Sequence, residues 1–204
     1  GADRILTVDI HSEQEPGFVE IPWDNLYSSY SFLPELKKIF GSNLVVASPD
    51  KGGVPKATFY ADLLDADGVA IVFKERDVMK KNESQALDMI GDVKDKDVLI
   101  VDDMIDTAGT ICDAAKLISG RGAKSVSVAA THGIFSGSAP EMIKKSPLDK
   151  IFITDTVPMR KEMLENPKLV VISAAKLLAE AINCIYNGDP ISEKLIPKTH
   201  EERN

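Results

Sequence analysis

The sequence predicts an α/β domain, a mostly parallel twisted sheet with helices on both faces. Three observations carry that prediction. Short apolar runs alternate with amphipathic helical stretches along almost the whole chain, the mark of successive βαβ units. Polar or charged residues follow five of those runs: Asp9 and His11, Asp50, Lys74 and Arg76, Asp102 to Thr110, and Thr131 with His132. In open parallel sheets the ligand crevice lies at the carboxyl ends of the strands. The composition, 44% hydrophobic and 27% charged over 204 residues, allows a buried core and excludes a disordered chain.

The elements follow in order. Residues 5–8 form a short strand ending at Asp9 and His11. Residues 31–40 are amphipathic and helical, stopped by Gly41. Residues 44–47 are a buried strand leading into Ser48-Pro-Asp-Lys-Gly-Gly53. A helix is expected over 55–64, where a proline is tolerated in the first turn. A strand over 69–73 runs into 74–84, which is polar, unpatterned and reads as a mobile loop; 87–91 is a candidate short strand. Residues 98–101 form the central strand, and 110–120 its helix. Strands at 125–130, 150–154 and 169–172 and a short helix at 139–145 complete the alternation. The last helix, 174–186, is capped by Asn187-Gly188, and the domain is taken as 1–192 with a loose polar tail over 193–204.

A formal charge of -8 argues against nucleic acid as the main partner, which would need a net basic face. Two cysteines, Cys112 and Cys184, sit in separate helical patterns, so neither a disulfide framework nor a Cys-rich zinc site is expected and a reducing cytoplasm fits. No run of about 18 apolar residues appears, so no membrane span is expected. The opening residues do not read as a signal peptide, and without an initiator Met further upstream sequence is expected.

The most informative stretch is Val98-Leu-Ile-Val-Asp-Asp-Met-Ile-Asp-Thr-Ala-Gly-Thr110. A buried strand runs into two adjacent aspartates, then a third, then a Thr-x-Gly-Thr turn before a helix. Such a turn presents free N–H groups and the positive end of a helix dipole to an anion. The neighbouring carboxylates suit sugar hydroxyls and a hard cation such as magnesium. A sugar phosphate held with a metal is the ligand this combination describes.

Taken together these residues resemble the ribose-phosphate diphosphokinases, which make 5-phosphoribosyl 1-diphosphate (PRPP). The resemblance covers residue 1 to about residue 192. It rests on Asp9-Ile-His-Ser-Glu-Gln14, Ile21-Pro-Trp-Asp-Asn-Leu26, Ser48-Pro-Asp-Lys-Gly-Gly53, Lys74-Glu-Arg76, the 98–110 stretch and Ala130-Thr-His-Gly133. The 102–110 loop alone is shared with phosphoribosyltransferases, so it marks the ligand rather than the reaction. The family implies a type I phosphoribosyltransferase-like fold in two similar domains, this chain resembling the second with its connecting segment. It implies transfer of the diphosphoryl group of ATP to the C1 hydroxyl of ribose 5-phosphate, with Mg2+, in homo-oligomers built as dimers forming hexamers.

Residue by residue, the resemblance implies that Asp106, Thr107, Ala108, Gly109 and Thr110 hold the 5-phosphate. Asp102 and Asp103 receive the ribose hydroxyls, directly or through magnesium. His11 and Asp50 are the metal ligands, with Asp9 behind them. Lys74 and Arg76 are the catalytic cations, and residues two apart on an extended segment project to one side. Asp24 and Asn25 match a regulatory phosphate site between subunits, where Pro16 stands in place of the glutamine many members carry. Thr131 and His132 are expected to be structural. Two other readings share parts of the pattern: a non-catalytic synthetase-associated subunit, and a phosphoribosyltransferase that consumes PRPP.

Overall fold

The computed structural model describes residues 1–75 and 86–198. Seven strands form the main sheet: β3 (Leu44–Ser48), β4 (Gly68–Glu75), β5 (Ala86–Ile90), β6 (Asp97–Ile105), β7 (Ser125–Gly133), β8 (Ile151–Thr154) and β9 (Leu169–Ile172). Their order is β5-β4-β3-β6-β7-β8-β9, all parallel except β5, which runs antiparallel to β4. The chain leaves β3 toward β4 on one side and later returns to β6 on the other. The gap between β3 and β6 is therefore the switch point at which such sheets bind ligands.

Alternate strand residues feed two cores. Val45, Ala47, Val98 and Ile100 pack with Ile111, Ala115 and Ile118 of α3 (Gly109–Gly120) and with Ile143 of α4 (Ala139–Lys145). Leu44, Val46, Leu99 and Val101 pack with Phe32 and Leu36 of α1 (Ser29–Ile39) and with Ala57 and Tyr60 of α2 (Val54–Leu63). The sheet is thus covered on both faces, as expected. Each fully buried Leu, Ile or Val contributes about 1.5–3 kcal/mol. No helix among the described residues is long and apolar enough to cross a membrane.

Several expectations change. The first strand, β1 (Ile5–Val8), does not join the main sheet; it pairs in parallel with β2 (Trp23–Leu26), a strand whose polar centre, Asp24-Asn25, hid it. Strand β6 continues through Asp102 and Asp103 to Ile105, because its ladder to β7 joins Asp102 to Ala130 and Met104 to His132. Both aspartates therefore stand on a strand, and the loop proper is only 106–108. Lys74 and Glu75 lie within β4, paired in register with Leu87 and Ala86, so the expected loop cannot begin at Lys74. Arg76 and the rest of that stretch up to residue 85 lie outside the described residues.

Helix α6 (Ala175–Asn187) closes at Gly188, whose φ of 73° suits glycine. Two single-turn helices were not legible: α5 (Lys161–Leu164) and α7 (Ile191–Leu195). The latter seats Leu195, 1% exposed, against Leu26 and Leu177, so the chain is still packed where a loose tail was expected. Both cysteines are free and buried.

Candidate functional site

The site forms around the carboxyl ends of β3 and β6. Strand β6 delivers Asp102 and Asp103, and the chain then turns through Asp106 and Thr107, both exposed, to Ala108. Ala108 is the N-cap of α3 in the left-handed region, φ 62°, a conformation costing an alanine about 1–2 kcal/mol. An alanine cannot cap, and no side chain satisfies this helix start. The first-turn N–H groups, without intrahelical acceptors, are left for an external acceptor, with the hydroxyls of Thr107 and Thr110 exposed nearby. A Cβ at Gly109 would meet only Thr107 Oγ1, at 3.9 Å, so within the chain this position is open rather than crowded.

The paired aspartates differ. Burial pushes the Asp102 carboxyl up to about 7, helped by its contact with Asp103. Burial works the same way on Asp103, but hydrogen bonds from Asp102 and His11 outweigh it and hold Asp103 below its ordinary value. His11 Nδ1 lies 2.6 Å from Asp103 Oδ2, and that hydrogen bond raises the imidazole above its ordinary value. Among the described residues His11 is therefore joined to Asp103 and not to Asp50.

Asp50 is exposed, and its Oδ1 accepts the N–H of Gly53 at 2.9 Å. A Cβ at Gly53 would fall 2.7 Å from Ser48 Oγ, so any larger residue there forces a shift. The Gly52-Gly53 pair is thus accounted for by the turn into α2.

The β1–β2 pair is fastened to this site by buried polar groups. Asp9, 6% exposed and at φ 44°, accepts the Ser28 N–H at 2.9 Å and the Thr131 hydroxyl at 2.7 Å. His132 bridges the Val8 carbonyl at 2.9 Å and Thr156 Oγ1 at 2.8 Å. Thr131 and His132 thus hold the ribbon to the end of β7. Asp24 is taken by Arg4 at 2.5 Å, and Asn25 Oδ1 accepts from Thr7 Oγ1 and the Ile10 N–H, each at 3.2 Å. Lys74 stands near the end of β4, the strand beside β3.

One cation went unnoticed in the sequence. Lys56 stands in the first turn of α2, its Nζ 4.0 Å from Asp9 Oδ1, and its charge lowers both Asp102 and Asp103. A lysine at the positive end of a helix is unfavourable without a partner, and that was the available signal. Beside it a cavity of about 320 Å³ is lined by Asp9, Tyr27, Ser29, Lys56 and Tyr60. Ser29 Oγ is the one buried side-chain polar atom among the described residues without a hydrogen bond.

The donors near the switch point are the carboxylates of Asp50, Asp102 and Asp103 and the imidazole of His11. Among the described residues no three His, Cys, Asp or Glu side chains converge to hold a metal. Such a set fits a hard cation completed by water and substrate phosphate oxygens, the habit of magnesium, and does not fit a zinc cage.

Comparison with known proteins identifies the family. Residues 72–195 match the family model described as the phosphoribosyl synthetase-associated domain. A ribose-phosphate pyrophosphokinase of Wolinella succinogenes is 44% identical over 196 residues, covering 96% of this chain and 62% of that protein. One of Vibrio parahaemolyticus is 44% identical over 192 residues, covering 94% of this chain and 60% of that protein. The crystal structure of phosphoribosylpyrophosphate synthetase from Mycobacterium smegmatis matches with a TM-score of 0.83 at 35% identity, covering 92% of this chain and 60% of that one. The chain spans about 60% of the length of these relatives. With a matched segment that runs from β4 through the aspartate strand to α7, the chain belongs to the phosphoribosyl synthetase-associated domain family.

Proposed function

We propose that this chain carries the sugar-phosphate and metal-phosphate parts of a ribose-phosphate diphosphokinase. That enzyme transfers the diphosphoryl group of ATP to the C1 hydroxyl of ribose 5-phosphate, giving PRPP and AMP. The observation that carries the reading is the 2.6 Å contact between His11 and Asp103. It joins a candidate phosphate-metal ligand to the aspartate pair that opens the sugar loop. The family match and the names of the relatives support it.

In this reading the uncapped start of α3, with Thr107, Ala108, Gly109, Thr110 and Asp106, holds the 5-phosphate. Asp102 and Asp103 accept hydrogen bonds from the ribose hydroxyls. His11 and Asp50 would hold Mg2+, which would supply charge neutralisation on the ATP phosphates. Lys74 and Arg76 stabilise charge developing on the transferred group and on AMP. Lys56, already beside Asp9, favours the ionised form of both aspartates and offsets part of the burial that raises Asp102. A regulatory phosphate site at Asp24 and Asn25 would use the sides of those groups that Arg4, Thr7 and Ile10 leave open. The whole protein works as a homo-oligomer, dimers forming hexamers, in the cytoplasm.

The test uses the full-length protein with magnesium, ATP and ribose 5-phosphate, following AMP and PRPP together. Equal release of both is expected, and no AMP would sink the reading. Diphosphate release from PRPP and a base would instead mark a transferase. Binding of both substrates without turnover would mark a non-catalytic subunit. Lys74→Ala should lower kcat far more than it weakens ribose 5-phosphate binding.

A further inference from the structure

The loop at 106–108 does not hold its own shape. Its entry, at Ile105 and Asp106, is gripped by a second turn, residues 134–137, that follows β7. The N–H groups of Ile134 and Phe135 both donate to the Ile105 carbonyl, at 3.0 and 3.1 Å. The Ser136 N–H donates to the Asp106 carbonyl at 3.1 Å, and the Ser136 hydroxyl donates to the Asp106 carboxylate.

This second turn is itself in an unfavourable conformation. Phe135 lies at φ 50° and Gly137 at φ 57°. A bulky residue rarely adopts that region. The Phe135 ring is fully buried, and it presses so closely on Gly133 that a Cβ there would sit 2.4 Å from the ring. The turn's carbonyls are fastened from outside. Arg160 Nη1 donates to the Phe135 carbonyl at 2.7 Å and to the Gly137 carbonyl at 3.3 Å. Arg160 is the N-cap of α5, and its backbone is extended, φ -68° and ψ 143°.

We propose that Arg160 is a positioning residue for the sugar-phosphate loop, acting through the 134–137 turn. The guanidinium ties the two left-handed residues together, the turn then fixes Ile105 and Asp106, and those residues set where the phosphate-binding N–H groups begin. Arg160 does not touch the ligand. The inference deepens the ribose 5-phosphate reading and rests on it.

Lys168 supplies a matched control. Its ammonium also clamps two carbonyls, Ile143 at 3.3 Å and Ser146 at 2.9 Å, but at the end of α4, away from the loop. In the full-length protein, Arg160→Gln should raise the ribose 5-phosphate Kd and KM about tenfold, with kcat and the ATP KM within about twofold. Arg160→Lys should recover part of the affinity. Lys168→Met should lower the melting temperature without changing ribose 5-phosphate affinity. Unchanged affinity in Arg160→Gln overturns the proposal, and so does an equal loss in Lys168→Met. Amide hydrogen exchange without ligand tests the linkage apart from the function. Arg160→Gln should speed exchange at 134–137 and at 106–110, and acceleration confined to 134–137 overturns it. Failure of the wild-type protein to bind ribose 5-phosphate would count against the functional reading, and the exchange result would still decide the role of Arg160.

Discussion

His11 and Asp103, 92 positions apart in sequence, meet at 2.6 Å. The contact raises the imidazole and helps hold the carboxylate low. Replacing Asp103 by Asn should move the His11 titration, followed by NMR of its ring protons, down toward its ordinary value. With the folded value raised, this pair's contribution to stability is present below the unfolded value and is lost as pH rises through the folded one. Because His11 is largely exposed, that contribution is small. A His11 titration unchanged by Asp103→Asn would show that the contact does not exist in solution.

Asp102 is a carboxylate the fold would prefer neutral, since burial lifts it to about 7. Its presence costs stability progressively as pH rises from the unfolded value toward 7. Asp102→Asn keeps an acceptor for the Asp103 N–H, now at 2.9 Å. It should raise the unfolding free energy at pH 8 by about 1–2 kcal/mol while weakening ribose 5-phosphate binding. A variant less stable than wild type at pH 8 would contradict this account of the burial.

Gly53 sits at a close approach. A methyl group there meets Ser48 Oγ at 2.7 Å, and Ser48 is fully buried. Gly53→Ala should cost about 1–3 kcal/mol, read from urea denaturation. The double variant with Ser48→Ala should recover part of that loss. Strictly additive costs would mean that the two side chains do not collide.

Tyr30 ties the start of α1 to α6 by donating its hydroxyl to Glu180 Oε2 at 2.6 Å. That bond, then burial, pushes the phenol up to about 12. Tyr30→Phe should cost about 1 kcal/mol at neutral pH. The wild-type advantage is full below the unfolded tyrosine value of about 10 and fades as pH rises toward 12. An advantage that persisted at pH 12 would assign the effect to packing instead.

Much of the main sheet was legible because burial on both faces demands apolar strands such as Leu44–Ser48 and Ile151–Thr154. Strand β2 was not, because Asp24 and Asn25 occupy its centre and find partners only once β1 lies beside it. The end of β6 was misread for a related reason: backbone pairing to β7 continues under two aspartates whatever their side chains. That Asp102, Asp103 and Asp50 follow apolar runs was readable from local pattern. The contact of His11 with Asp103, the field of Lys56 and the clamp of Arg160 depend on folding, since each acts on a residue distant in sequence. Local spacing carries no signal for such pairs.

The two-stranded β1–β2 ribbon has one further consequence. A sheet of two strands has little stability of its own, and this one is docked through Leu26 against Leu177 and Leu195 and through polar contacts of Asp9 and Val8. It nevertheless brings the histidine whose ring meets the Asp103 carboxylate. A ligand gripped at both His11 and the 106–110 loop would therefore act as a rivet between the ribbon and the main sheet. Occupancy of the site and cohesion of the molecule would rise and fall together.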